Sequence, residues 1–422
     1  MEGTTNNDRI YFGGLNGLRF FAATAVIFHH VEQYKLWAQR DGSSISSVFG
    51  GHSLASIFFE ALGHKAVSIF FVLSGFLITY LLLAEVKKTN TISLKKFYMR
   101  RILRIWPVYY LVIILAFTII PRFFDIGHYG HDMLTNKSWL WFGLCFMMLP
   151  NLVRYNSVEL VGGNQTWSVG VEEQFYILWP WLVRTFHKNL VNMLVVLIVV
   201  KVMIGITAGL IASYTTTGTL HTMANKFALY WGLFKIEQMA IGALGAWYLF
   251  SKNESVLQFL YQPLVVWFAS LITIGFFFVE YSFPGDTLVE AIVFLTLIIN
   301  VSTNPNCLLK FKNAKYNTLG NISYGIYMYH TIVIAIMFSL LQKTGLTQSP
   351  ILFNGVLYAS AVLGTIGLAY LSYMYFESWF LHLKEKFMVV KSSSKNILPE
   401  NINVQPKTKH PEIVFEEEPV SA

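Results

Sequence analysis

The chain has 422 residues, 55% of them hydrophobic and 13% charged, with a mean hydropathy of +0.51 and a net charge of +8. Soluble domains run near 45–50% apolar and about 25% charged, so this composition excludes an ordinary water-soluble domain. The positive balance does not argue for a nucleic-acid partner, and none is expected, because an excess of Lys and Arg on the cytoplasmic side of a membrane explains it.

Hydropathy along the chain predicts an all-α polytopic membrane protein of about ten transmembrane helices. They fall at 15–34, 64–84, 103–120, 168–183, 190–212, 227–249, 257–279, 287–302, 319–341 and 351–378. Most approach or exceed the length needed to cross a hydrocarbon core of about 30 Å. The stretch 139–150 is apolar but short and ends in Pro150, so it is read as re-entrant or interfacial. Charge counting sets the orientation. With both termini cytoplasmic, the inner segments hold about twenty Lys and Arg and the outer ones about eight. The inner set includes Lys87, Lys88, Lys95, Lys96, Arg184, Lys188, Lys310, Lys312 and Lys315, and the outer set Arg40, Arg122, Lys137 and Lys343. Residues 1–382 are read as one membrane domain and 383–422 as a polar, proline-containing cytoplasmic tail without apolar periodicity. The first apolar run contains Arg19 and has no small-residue cleavage site after it, so no cleavable signal peptide is expected. Cys145 and Cys307 form no metal or redox pattern, and no metal is expected.

Ionisable residues inside spans mark functional sites by default. In the first helix, Arg19 and His30 are eleven residues apart, about three turns, so they share a face and lie roughly 16 Å apart along the axis. The competing reading is an arginine at the interface and a helix-end histidine. Arg101 and Arg104 also share a face, and their guanidinium forks suit phosphate; a positive-inside stop signal is the alternative. In the fourth helix Trp167 and Ser168 precede the adjacent carboxylates Glu172 and Glu173, which are expected to enter from the outer side. A buried carboxylate there suits orienting a histidine, balancing an arginine or acid/base work. Lys235 and Glu237 fall in the sixth span, and Tyr324 and His330 in the ninth. Small residues in the run Phe71 to Leu77 fit close helix packing.

Taken in order, five segments resemble the acyltransferase 3 family of membrane proteins, which includes bacterial O-antigen and other polysaccharide O-acetyltransferases. They are Gly17-Leu18-Arg19 with His30 ten intervening residues later, Phe71 to Leu77, Arg101 to Pro107, Thr166 to Tyr176, and Ile322 to His330. They extend over about residues 14–378. The resemblance implies acyl-CoA (acetyl-CoA) as donor co-substrate, a carbohydrate or lipid-linked glycan acceptor, membrane lipid around the helices and a bacterial inner membrane. It also implies that Arg19, His30, Arg101 and Arg104 are required. Many members carry Asp where this chain has Asn16, and some carry a fused extracellular hydrolase-like domain, which is not expected here.

The expected mechanism has Arg19, Arg101 and Arg104 hold the CoA phosphates while His30 acts as general base. A variant has His30 carry the acyl group covalently. Glu172 is expected to hold His30 or an arginine, and Lys235 or a backbone donor to stabilise the oxyanion. Trp167, Ser168, Glu173, Glu237, Tyr324 and His330 are supporting candidates. The rival class is a secondary transporter with an intramembrane His/Glu/Lys proton relay.

Overall fold

A computed structural model describes residues 10–390 apart from 41, 50–52, 124–137, 216, 282, 284, 308, 310 and 312. Lys137, Lys310, Lys312 and the tail beyond residue 390, all used in the sequence reading, lie outside the described residues. Among the described residues every regular element is helical.

Helix α1 (Leu15–Arg40) leads into α2 (Leu54–Thr89) and α3 (Leu94–Thr118), followed by the short α4 (Ile120–Phe123). The helices α5 (Ser138–Phe146) and α6 (Pro150–Tyr155) come next, then α7 (Thr166–Phe186) and α8 (Leu190–Tyr214). A middle group holds α9 (Gly218–Leu233), α10 (Ile236–Phe250), α11 (Glu254–Tyr261), α12 (Pro263–Gly275) and α13 (Asp286–Thr303). The chain closes with α14 (Ala314–Asn321), α15 (Ser323–Gln342), α16 (Pro350–Ser372) and α17 (Ser378–Glu385).

Local chemistry sets many of these boundaries. Ser53 caps α2 through its side chain, which accepts from the Ser56 amide, and Asn90 ends α2 in the left-handed region at φ 58°. Asn253 and Asn313 cap α11 and α14 in the same way as Ser53. Pro263 sits at the start of α12, where its missing N–H costs nothing, and the pair α11/α12 bends by 62° there. Between α16 and α17 the backbone widens into one π-helical turn over Tyr373–Glu377.

Among the described residues six helical runs are long and apolar enough to cross a membrane, or seven if the bent α11/α12 pair is one crossing. Their outer faces carry Ile177, Leu178 and Trp181 on α7, Val195, Val196 and Val199 on α8, and Trp267, Phe268 and Leu271 on α12, all exposed. Such a surface needs lipid around it, and the chain is an integral membrane protein. One of the six runs is Thr166–Tyr214, 49 residues. At about 1.5 Å per residue that is more than twice a bilayer core, so it contains material for two crossings. The expected span 227–249 is broken between Leu233 and Ile236, where Phe234 and Lys235 leave the helix. Residues 139–150 form the nine-residue α5, a turn and the start of α6, too short for a crossing of about 30 Å.

Near the centre α2 crosses α10 at backbone contact. A Cβ on Gly75 would collide with the Met239 backbone, and one on Gly242 with Val72 O and Phe76 N. The expectation of close packing in the run Phe71 to Leu77 has its partner here. Trp179 of α7 donates to the Thr79 hydroxyl of α2 at 2.8 Å, and α15 packs against α1 and α16. In α15, 72% of its apolar window is buried, against 17% in Thr166–Tyr214, so α15 is an interior helix.

Candidate active site

Helices α1, α2, α3, α7, α14, α15 and α17, with the π-helical turn Tyr373–Glu377, line a cavity of about 300 Å³. Its lining includes Glu85, Phe97 and Arg100, where α2 ends and α3 begins, and Lys384 of α17. Lys87 and Lys88 occupy the last turn of α2, and Lys95 and Lys96 the first turn of α3, so this end of the bundle is basic.

Arg19, Arg101 and Arg104 all reach the cavity. Arg101 and Arg104 do so together because they are one turn apart on α3. The neighbouring Arg100 is committed elsewhere, to the Glu85 carboxylate at 3.0 Å and the Phe387 carbonyl at 2.9 Å. Arg101 lies over the Tyr176 and Phe97 rings, 5.7 and 5.9 Å from their centroids. Its Nε is buried with no hydrogen-bond partner. Among the described residues Arg19 donates only one hydrogen bond, a long one of 3.4 Å to the Asn16 side chain.

The carboxylates in the wall are largely engaged. Glu85 serves Arg100 and the Ser93 amide, Glu377 accepts from Ser372 at 3.0 Å, and Glu172 accepts from Ser74 at 3.1 Å and Tyr176 at 3.0 Å. Among the described residues Arg19, Arg101 and Arg104 form no ion pair. Partly buried guanidinium groups that line one cavity with donors to spare attract an anion of matching fork geometry, such as a phosphate.

The inner end of the cavity is closed by Ser168 and Tyr327, whose hydroxyls are 2.6 Å apart. One turn further along α15 stands His330, fully buried, with its ring 4.8 Å from that of His30. His30 Nδ1 is 3.3 Å from His330 Nε2 and 2.9 Å from the Val26 carbonyl. His29 turns to the opposite neighbour, α2, where its Nδ1 meets the Phe59 carbonyl at 3.1 Å and its ring lies 5.6 Å from that of His64.

The cavity thus gathers Arg19, Arg101, Arg104, Ser168, Glu172 and Tyr324. Tyr324 donates to the Ile105 carbonyl at 2.8 Å. His30 and His330 lie just past its end rather than in its wall. Glu172 does not contact His30 as expected: the hydroxyls of Ser74 and Tyr176 take the carboxylate, and His30 finds His330 instead. Glu172 does share the cavity with Arg19 and Arg101. Glu173, one residue on, points the other way and accepts from Trp106 at 3.0 Å. Trp167 packs against Phe71 outside the cavity. Lys235 does not reach the cavity lining, and Glu237 faces Lys201 at 3.9 Å. The sequence reading overlooked Tyr327, Tyr176, Ser74, Glu377 and Lys384 as members of the site. Tyr176 and Tyr327 lay within noted segments, while nothing local marks Lys384, which sits at the start of a polar stretch.

A family model described as an acyltransferase domain, acyltransferase 3, matches residues 12–373, most of the chain. The chain belongs to the acyltransferase 3 family. It is 26% identical over 393 residues to the peptidoglycan O-acetyltransferase OatA of Listeria monocytogenes, covering 90% of this chain and 57% of that protein. It is 27% identical over 394 residues to the O-acetyltransferase OatA of Staphylococcus aureus, covering 87% of this chain and 57% of that protein. The chain therefore spans little more than half the length of these relatives. No solved structure matches this family member.

Proposed function

We propose that this acyltransferase 3 family member is a membrane O-acyltransferase that moves an acyl group, acetyl first, from cytoplasmic acyl-CoA to a hydroxyl of a carbohydrate or glycolipid acceptor at the outer side. The observation that carries the reading is the arginine cavity, where Arg19, Arg101 and Arg104 form no ion pair among the described residues, beside a basic end of the bundle. Family membership and the names of the relatives as O-acetyltransferases support the chemistry.

In this reading the chain makes ten crossings in a bacterial inner membrane with both termini cytoplasmic, and the basic end of the bundle faces the cytoplasm. The three arginines and Lys384 hold the donor phosphates, and the thioester arm extends past Tyr327 toward His30. His30 Nε2 takes the proton of the acceptor hydroxyl as that oxygen bonds to the thioester carbonyl carbon. The carbon–sulfur bond breaks, and the departing CoA thiolate takes up the proton held by His30. Glu172, fixed by Ser74 and Tyr176, balances the arginine charge at the far end of the cavity. A transporter has no need of three arginines that line one cavity with no ion pair among the described residues, which disfavours the proton-relay alternative.

The test is transfer itself. Purified protein in liposomes receives acetyl-CoA on the side of Lys87 and peptidoglycan fragments on the other, and mass spectrometry reads O-acetyl esters. Ester formation that is abolished by His30→Ala supports the reading. Folded wild-type protein that forms no ester and releases no free CoA with any polysaccharide acceptor contradicts it.

A further inference from the structure

The hydrogen bonds around two histidines assign their tautomers. His330 Nδ1 is 2.6 Å from the Tyr327 carbonyl oxygen. A carbonyl only accepts, so this nitrogen carries the hydrogen, and in the neutral ring Nε2 is a bare acceptor. That Nε2 and the Val26 carbonyl are the two neighbours of His30 Nδ1, at 3.3 and 2.9 Å. Both accept, so His30 Nδ1 carries the hydrogen and shares it between them. The opposite tautomer of His30 would set its Nδ1 lone pair against two acceptors. A doubly protonated His330 would donate to His30 Nδ1 and force that lone pair onto the Val26 carbonyl. The arrangement that leaves no clash has both rings neutral and protonated on Nδ1.

We infer that His330 is the positioning residue that, together with the Val26 carbonyl, locks His30 in its Nδ1–H tautomer and so presents His30 Nε2 as a lone pair. The inference rests on the reading of His30 as the base. It names the group that orients that base, the part a carboxylate plays in a serine protease triad.

His330 is built to hold this position. It is fully enclosed. On α15 the preceding Tyr327 is bonded to Ser168 at 2.6 Å, and the Met328 carbonyl accepts from Gln165 Nε2 at 2.6 Å. The following Thr331 donates to Gln165 Oε1 at 2.7 Å, while its carbonyl accepts from Tyr34 at 3.2 Å. Four bonds, to Tyr34 of α1, Ser168 of α7 and Gln165 just before α7, thus fix the helix that carries the imidazole. His30, in contrast, is only partly buried. His29 supplies an internal comparison, since its Nδ1 is held by the Phe59 carbonyl with no part played by His330.

The experiment uses full-length protein in detergent, with the histidine rings labelled with nitrogen-15 and the His30 signals identified by their loss in His30→Gln. Wild-type His30 is expected to show protonated Nδ1 and unprotonated Nε2. His330→Leu removes one of the two acceptors and leaves the Val26 carbonyl, so the Nδ1–H population of His30 is expected to fall in favour of the Nε2–H form while His29 stays unchanged. His330→Gln places an amide oxygen near the former Nε2 and is expected to retain the lock. In turnover, His330→Leu should lower kcat by roughly 10²-fold, within the range of general-base contributions, with KM for acetyl-CoA unchanged, and His330→Gln should restore most of it. A wild-type His30 protonated on Nε2, or a His30 tautomer unaffected by His330→Leu, overturns the inference. Acyl transfer without the lock would sink this inference alone. The lock without any transfer would confirm the positioning and sink the transferase reading.

Discussion

Gly75→Ala adds one methyl group at the contact between α2 and α10. The new carbon would lie 2.6 Å from the Met239 carbonyl carbon and 2.8 Å from its Cα, closer still to the carbonyl oxygen. Ordinary contacts begin near 3.4 Å, and all three atoms are backbone, so no rotamer change relieves them. The two helices must separate by about 1 Å or bend. Overpacking of this kind costs about 1–3 kcal/mol, against a gain of about 1 kcal/mol from replacing a mid-helix glycine by alanine. The net effect is destabilisation, and it reaches the site because Ser74, which holds Glu172, is the adjacent residue. Gly355→Ala is the control: it lies in α16 with open space around it and receives only the propensity gain. Thermal unfolding in detergent, followed by cysteine exposure at Cys145 and Cys307, reads both. The Gly75→Ala midpoint falls below wild type, while Gly355→Ala is unchanged or higher. A Gly75→Ala protein as stable as wild type would refute the backbone-contact reasoning.

Other outcomes follow from buried charge and from the cavity. Lys65 and Glu290 pair at 2.5 Å, and Glu290 also accepts from Tyr281 at 2.7 Å and Ser68 at 3.1 Å. Lys65→Met alone should cost about 3–5 kcal/mol by stranding the carboxylate, and Lys65→Met/Glu290→Leu should recover most of it; equal midpoints for the two proteins would count against this. Arg104→Lys keeps the charge but loses the planar fork, so acetyl-CoA affinity should fall about tenfold, the equivalent of one charge-assisted bond of about 1.5 kcal/mol. Calorimetric titration checks it, and an unchanged affinity would remove Arg104 from phosphate binding.

The sequence carried the parts of the site that depend on periodicity. Arg19 and His30 do lie on one continuous helix, and Arg101 and Arg104 do share a face, because a 3.6-residue repeat is a local property. Partners across the bundle were out of reach. Glu172 is 98 residues from Ser74, and His30 is 300 from His330, so the choice between a carboxylate and a second imidazole as the partner of His30 awaited the packing. The break at Lys235 was also hidden: Phe234 is as apolar as the residues around it, and one lysine does not reveal where a helix stops. The boundary near residue 382 drew attention away from Lys384, which reaches back to the cavity from α17. Glu173 shows the opposite limit, since adjacency to Glu172 suggested a shared role but about 100° of helical rotation sends it to Trp106.

The central claim is that the arginine cavity receives an acyl-CoA donor and that the histidine beyond it acts after binding. The most direct measurement is acetyl-CoA binding to detergent-purified wild type, Arg101→Ala/Arg104→Ala and His30→Ala. The account predicts binding by wild type and His30→Ala and its loss in the double arginine variant. Equal binding by all three, or none by folded wild type, would contradict it.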